Sequence, residues 1–445
     1  MINYPAYKSV NLHWLKEIPT HWNLQRNKNI FTELKNEVGS NSGDYVLLSL
    51  TLKGVILRDM EGGGKFPQRF DKYKIVQKGN MIFCLFDMDE TPRTVGLSGY
   101  DGMITGAYTI MKINNINPGY VYYYYLALDN IKALKPFYTG LRKTISINTF
   151  QNIKLPIPSY LEQEQIVYYL DWKISRINQL INIKQKEIKV IDSLKHSMVN
   201  HVILKGTSKD VDMKYSGEKW LGDIPVHWNI IKLRQILNPI SVKGHPELPL
   251  LSVIREQGVV IRDVKDVYSN HNFIPDDLSG YKMVRKGQFV INKMKAWQGS
   301  YGISKYIGIV SPAYFVFNVM YDNLEYFHYV IRSKLYVNFF AQASDGIRVG
   351  QWDLQMNRMK DIPFIVPPKE EQVSIVNDIK KNLSKYDRII EKLFAEIENL
   401  QELKARLISD VVTGKMDVRD IVIPEYDYVE EENNGVEAED AVDEK

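Results

Sequence analysis

Trp14-Leu15-Lys16-Glu17-Ile18-Pro19-Thr20-His21-Trp22-Asn23 returns 206 positions later as Trp220-Leu221-Gly222-Asp223-Ile224-Pro225-Val226-His227-Trp228-Asn229. The echo continues down the chain. Gly54-Val-Ile-Leu-Arg58-Asp59 matches Gly258-Val-Val-Ile-Arg262-Asp263 at an offset of 204. Tyr73-Lys-Ile-Val-Gln-Lys78-Gly79 matches Tyr281-Lys-Met-Val-Arg-Lys286-Gly287 at 208, and Glu162-Gln163-x-x-Ile166-Val167 matches Glu371-Gln372-x-x-Ile375-Val376 at 209. The order is kept and the offset drifts by a few positions only. The chain therefore holds two copies of one unit. A period this long excludes a solenoid and indicates a tandem domain duplication.

Each copy has two parts. The first is rich in short apolar runs separated by Gly and Asn, the pattern of brief strands and turns. Such runs are Tyr45–Leu50, Met81–Phe86 and Tyr108–Ile113, then Leu248–Ile254, Phe289–Ile291 and Tyr314–Val319. Helices are expected near Val121–Leu134 and Leu324–Phe340. This predicts an α+β domain with a curled, mostly antiparallel sheet.

The second part reads as a long helix. Pro158-Ser159 followed by Glu162 has the form of a capping box. A heptad then runs through Val167, Leu170, Ile174, Ile177, Ile181, Ile188, Ile191 and Met198. Its counterpart runs through Val376, Ile379, Leu383, Tyr386, Ile390, Leu393, Ile397, Leu400 and Leu407. Lys195 matches Lys404, whereas Lys184 stands where the second copy has Leu393. Heptads sustained this long argue for a coiled coil, and two seams in one chain are expected to pack antiparallel about a pseudo-twofold axis. Gly206 and Gly414 are positioned as C-terminal caps. The predicted segments are thus 1–158 and 225–367 for the globular parts, 159–206 and 368–414 for the helices, 207–224 for a linker and 415–445 for a C-terminal segment.

Composition limits the possible functions. The 445 residues are 44% hydrophobic and 25% charged, as in ordinary globular proteins. The single cysteine, Cys84, excludes a disulfide framework and a cysteine-based zinc site, and one lone thiol suits a reducing cytoplasm. No secretory leader or membrane span is expected from the residue pattern. Gly62-Gly-Gly-Lys65 lacks the spacing of a phosphate-binding loop. Asn238-Pro239-Ile240 is not the motif of an amino-methyltransferase. Asp87 and Asp89 resemble a carboxylate pair, but the second copy has Asn292-Lys-Met-Lys295 in that neighbourhood. His21 and His227 repeat beside Trp22 and Trp228, where a structural role is expected. No nucleophile–base set is supported, so binding is favoured over catalysis.

The charge is uneven. Residues 425–445 carry a net −9 and residues 1–424 a net +13. The acidic tail has little to bury, and its composition predicts disorder; its role stays open between a solubilising end and a competitor for nucleic acid. The basic body suits a polyanion. Arg58, Lys65, Arg69, Arg93, Arg142 and Lys143 fall in expected loops of copy one. Arg262, Lys293, Lys295, Trp297, Gln298, Arg348, Gln351 and Trp352 do so in copy two. Arg and Gln can read guanine and adenine through two bonds each, whereas Lys mostly meets phosphate. Arg142 and Arg348 each sit in a Gly-x-Arg turn, as a DNA contact or as a brace for the approach to the helix. Glu162, Gln163, Glu371 and Gln372 open the helices; the acids suit the helix dipole there, with partner docking as the alternative.

Ile18-Pro19-x-His-Trp22, Pro156-Ile-Pro158-Ser-Tyr-Leu-Glu162-Gln163, Pro367-Pro368-Lys-Glu-Glu371-Gln372 and Lys293-Met-Lys-Ala-Trp-Gln-Gly299 together resemble the specificity subunits of Type I restriction–modification systems. The resemblance spans roughly Trp14 to Asp420. It implies a non-catalytic subunit with two target-recognition domains, each reading one half of a split DNA sequence across a gap set by the helices. Two methyltransferase subunits would dock on it, with restriction subunits joining for cleavage. S-adenosylmethionine, ATP and Mg2+ would belong to those partners. The recognition segments diverge between copies, DMDETPRTVG against MKAWQGSYG, which predicts an asymmetric target. Three other readings remain: the specificity subunit of a bipartite-site nuclease of another type, a coiled-coil scaffold for proteins, and a self-contained enzyme, which the missing motifs disfavour.

Overall fold

A computed structural model describes residues 3–58, 69–208, 210–263, 274–348 and 351–432, with the backbone alone at 347, 348 and 351. Two compact units emerge: one holds residues 1–186 and 393–445, the other residues 187–392. The units cut across the sequence repeat. The long helices α1 (Tyr160–Lys205) and α2 (Lys369–Val412) are each divided between them.

Unit 1 is built on a four-stranded antiparallel sheet. Its strands are β1 (Phe31–Leu34), β2 (Met81–Phe83), β3 (Val95–Leu97) and β4 (Thr109–Ile113), in the order β1-β4-β2-β3. Ile110 faces both Leu34 and Ile82 in register. Unit 2 repeats the sheet with β5 (Leu237–Ile240), β6 (Phe289–Ile291), β7 (Tyr301–Ile303) and β8 (Phe315–Val319), ordered β5-β8-β6-β7. Short hairpins surround each sheet, among them Leu48–Thr51 with Gly54–Leu57 and Leu251–Ile254 with Gly258–Ile261. One face of each sheet meets a helix. In unit 1 this is Pro118–Asn130, whose Tyr120, Tyr124 and Tyr125 are buried beside Phe31, Phe83 and Phe150. In unit 2 the expected single helix is two, Leu324–Arg332 and Lys334–Gln342. Ser333 breaks it: its backbone is extended, and its hydroxyl accepts from the Tyr336 N–H as the cap of the second segment.

The long helices pair antiparallel inside each unit, the start of one against the end of the other. In unit 1 Ile166, Leu170 and Ile174 share a core with Ile408, Val411 and Val412. In unit 2 Ile375, Val376 and Ile379 share one with Val202 and Ile203. Of the heptad residues, Leu170, Ile174, Ile177, Ile181, Val376, Ile379, Leu393 and Ile397 are buried. Each fully buried Leu or Ile contributes about 1.5–3 kcal/mol. Ile188, Ile191, Leu383, Tyr386, Ile390 and Leu400 are half-buried. Lys184, the mismatch in the seam, pairs with Glu396 at 2.8 Å.

Both helices end at glycine, as expected. Gly206 and Gly414 have φ of +74° and +75°, in the left-handed region that spares only a residue without Cβ. The capping box at the start of α1 is half formed. Ser159 Oγ accepts from the Glu162 N–H at 3.3 Å, but the Glu162 carboxylate turns to other partners.

The C-terminal segment departs from the expectation drawn from its composition. Val418 is fully buried, and Gln165 donates to the Val418 and Ile421 carbonyls. Residues 425–432, within the acidic tail, lie extended along α1 and exchange backbone hydrogen bonds with Ser175, Asn178 and Asn182. Composition gave this stretch no core to join, but polar helix side chains can hold a strand that buries little apolar surface. Residues 433–445 lie outside the described residues.

Candidate nucleic-acid interface

In each unit two loops at matching places in the repeat come together. In unit 1 they are the loop after β2 and the turn at 139–144. In unit 2 they are the loop after β6 and the hairpin Ser344–Arg348 with Gln351–Leu354.

The unit 1 site is held by backbone first. The Asp87 N–H donates to the Arg142 carbonyl at 2.8 Å, and Ile145 donates to Leu85. Arg142 Nη2 then reaches Asp87 Oδ2 at 2.9 Å while its guanidinium lies 5.5 Å from the centre of the Phe86 ring. Phe86 stacks on Tyr108 at 6.2 Å. Lys143 pairs with Asp89 at 3.1 Å and Lys135 pairs with it at 3.3 Å. These hydrogen bonds, that from Lys143 foremost, hold the Asp89 carboxyl below its ordinary range. Positive φ at Asp87, Gly140 and Lys143 marks tight turns on both loops.

The unit 2 site uses other chemistry. Lys293 pairs with Asp353 at 2.7 Å and lies 5.9 Å from the centre of the Phe315 ring. Trp297 and Trp352 stack at 5.4 Å with their planes 26° apart. Lys295 is exposed and Gln298 half-buried beside them. The polarity is reversed between the copies. In unit 1 the loop after the strand is acidic and the later turn basic; in unit 2 the loop is basic and the hairpin carries the acid.

A shared brace sits beneath both sites. Lys74 Nζ donates to the Tyr108 carbonyl at 2.6 Å, and Lys282 Nζ donates to the Tyr314 carbonyl at 2.7 Å. Burial pushes both ammonium groups below the ordinary lysine range. They fix the chain where it turns into β4 and β8.

Other sequence-predicted residues fall elsewhere. Arg93 is a correction: its guanidinium turns inward to Asp129 and Asn130, each at 3.0 Å, and its side chain is 15% exposed. The buried Asp129 carboxylate, which also takes the N–H and hydroxyl of Thr94, commits that charge to the fold. Arg58 and Arg262 follow matching strands, and their N–H groups donate to Leu47 and Leu250. Arg69 is exposed, and Lys65 lies outside the described residues. Arg348 and Gln351 face each other in the hairpin backbone. Sequence reasoning passed over Phe86, Tyr108 and Asp353. The repeat of Tyr108 as Tyr314 was the one available signal for them.

The motifs at the helix starts serve the fold. In unit 1 the buried Glu162 carboxylate accepts from Trp22 Nε1 at 2.9 Å and Tyr4 Oη at 2.8 Å, and contacts His21 Nε2 at 2.9 Å. In unit 2 Glu371 accepts from Trp228 Nε1 at 2.9 Å and contacts His227 Nε2 at 2.6 Å. Gln163 and Gln372 donate to the Pro158 and Pro367 carbonyls. The acids therefore clasp the turn at His21-Trp22 and at His227-Trp228, beyond any help from the helix dipole.

Two β-rich domains, each followed by a long helix and each carrying a pair of loops, make up the described fold. A family model described as the Type I restriction modification DNA specificity domain matches residues 59–190. Over 418 residues the chain is 22% identical to the Type I restriction enzyme MjaVIII specificity subunit of Methanocaldococcus jannaschii, covering 85% of this chain and 92% of that one. A solved chain, reported under the structural basis of complex assembly and conformational transition of the type I R-M system, is similar in fold. Its TM-score is 0.57 at 14% identity, over 90% of this chain and 99% of that one. Residues 59–190 thus match a Type I restriction modification DNA specificity domain, and most of the chain is similar to a specificity subunit of such a system.

Proposed function

We propose that the chain reads an asymmetric, bipartite duplex target, one half-site per unit. The reversed polarity of the paired loops carries this reading. Two identical readers would suit a palindrome; an Arg142–Asp87 site over Phe86 and a Lys293–Asp353 site beside a Trp pair present unlike donors and acceptors to a groove. Arg142, Lys143, Lys293, Lys295, Gln298, Trp352 and the hairpin residues Arg348 and Gln351 are the proposed contacts, with Arg58, Arg69 and Arg262 on flanking phosphate. Trp297, stacked on Trp352, belongs to the same proposed contact set.

The partners follow from the family. Two methyltransferase subunits would dock on the long helices and carry S-adenosylmethionine, and restriction subunits would bring ATP and Mg2+. A methyltransferase acting on a base must first take it out of the stack. The recognition loops would hold the duplex while that happens.

The test is a genome-wide methylation map of a host carrying the methyltransferase with and without this gene. A new mark at two unlike half-sites around a fixed gap is expected. An unchanged map, with the methyltransferase shown to be active beside another specificity chain, overturns the proposal.

A further inference from the structure

The two long helices carry matched lysines, Lys195 and Lys404, 209 positions apart. In unit 2 Lys195 Nζ meets Asp387 Oδ1 at 2.5 Å, helix to helix. The residue of α1 that matches Asp387 is Asn178, which bears no charge. Lys404 Nζ donates to Asn178 Oδ1 at 2.8 Å, and its carboxylate comes from elsewhere: Glu431 Oε2 at 3.3 Å. Glu431 also accepts from Gln401 Nε2 at 3.2 Å.

Asn178 is turned so that its other end serves the C-terminal segment, Nδ2 donating to the Val429 carbonyl at 2.9 Å. Its neighbours on the helix pair the segment in both directions. Ser175 Oγ donates to the Asp427 carbonyl at 3.0 Å and accepts from the Val429 N–H at 2.9 Å. Asn182 Nδ2 donates to the Glu430 carbonyl and Oδ1 accepts from the Glu432 N–H, both at 2.8 Å. All three side chains are buried; without the segment Ser175 and Asn182 would lose these partners, and Asn178 would lose the acceptor of its Nδ2 while keeping Lys404. The matching positions on α2 are Ser384, Asp387 and Glu391. An ionised Asp or Glu has no N–H to give a carbonyl. The second helix therefore cannot hold such a segment, and the first is built for it.

We infer that residues 425–432 are a strap that locks the helix pair of unit 1, with Glu431 supplying the counter-charge that Asp387 supplies within the helix pair of unit 2. Asn178 is the positioning residue that joins the lysine to the strap. The acidic composition of this stretch thereby gains a use inside the protein, independent of the DNA target proposed above.

The test is hydrogen–deuterium exchange on the full chain, read at Val429 and Glu432 and across residues 393–407. Glu431→Gln is expected to raise exchange at the two strap amides about fivefold to tenfold. Asn178→Asp alone is expected to open the strap as well, since it removes the donor to Val429 and sets a second carboxylate beside Glu431. In the Glu431→Gln background Asn178→Asp should do the reverse for 393–407, restoring protection by giving Lys404 the partner that Lys195 has. Lys404→Met supplies a further reading: with the cation gone, Glu431→Gln should cost the strap nothing more. A strap as protected in Glu431→Gln as in the wild type, or no gain of protection at 393–407 from Asn178→Asp in the Glu431→Gln background, overturns the inference.

Discussion

Trp22 donates its indole N–H to Glu162 Oε1 at 2.9 Å, across 140 positions of sequence. The bond ties the turn between the strands Leu15–Pro19 and Asn23–Arg26 to the first turn of the helix that closes the first repeat. Trp228 and Glu371 do the same in the second repeat.

The two clasps differ in depth, and so should their variants. Glu162→Ala leaves Trp22 Nε1 and Tyr4 Oη buried without an acceptor, and about 3 kcal/mol or more of unit 1 stability should be lost. The Glu371 side chain is 35% exposed, so water can replace part of it. Glu371→Ala should cost about 1 kcal/mol in unit 2. Urea unfolding followed by tryptophan fluorescence checks the order; equal losses would put the weight on the helix start and not on the clasp.

Gly414→Ala is expected to destabilise more than Gly206→Ala. Both positions need a left-handed backbone, which costs a residue with Cβ about 1–2 kcal/mol. A Cβ at Gly414 would lie 2.5 Å from Pro19 Cδ, a ring that cannot swing away, whereas at Gly206 it would meet the Trp228 ring at 3.1 Å. Thermal unfolding of the two variants measures the gap.

His328 makes unit 2 sensitive to acid. Burial foremost, with Arg332 and Lys305 nearby, pulls its pKa down to about 4 from an ordinary 6.5. The unfolded chain therefore binds the proton more readily than the folded one. The associated stability is complete above pH 6.5 and is lost as pH falls from 6.5 through 4, up to about 3 kcal/mol. His328→Gln should flatten the stability profile of unit 2 in that window while leaving it unchanged at pH 8.

Arg93 and Arg142 should separate cleanly. Arg93→Ala strips the buried Asp129 carboxylate of one partner while Lys132 stays at 2.7 Å, and should cost unit 1 about 2 kcal/mol with no change in the methylated sequence. Arg142→Ala, at a side chain 72% exposed, should change stability by about 0.5 kcal/mol at most. It should relax the sequence read in one half-site and leave the other intact. A uniform loss of DNA affinity with Arg142→Ala, together with a shallower salt slope, would make it a phosphate contact instead.

Much of the architecture could be read directly from residues. The repeated Ile-Pro-x-His-Trp and Glu-Gln motifs announced the duplication, and Leu170, Ile174, Ile379 and Ile397 carried the helix seam at heptad spacing. Periodicity reports which face of a helix is apolar, and that face is what the fold buries. The sites were less legible because a charge in a loop looks the same whether it points out or in. Arg93 and Arg142 are both loop arginines, and only the tertiary position of Asp129 distinguishes them. The strap was hidden for the opposite reason. Its partners Ser175, Asn178 and Asn182 are polar, so hydrophobic patterning passes over them.

Unit 1 draws on residues 1–186 and 393–445, while unit 2 is continuous from 187 to 392. Synthesis on the ribosome imposes an order on these pieces. Domains made of consecutive residues can fold as they emerge, whereas a domain closed by a distant segment must wait for it. Unit 2, though later in the sequence, is thus the first that can be finished. Unit 1 is left with its helix unpaired until residues beyond 392 arrive. A message cut short after residue 392 would yield one complete unit and one open helix face, exposing Leu170 and Ile174.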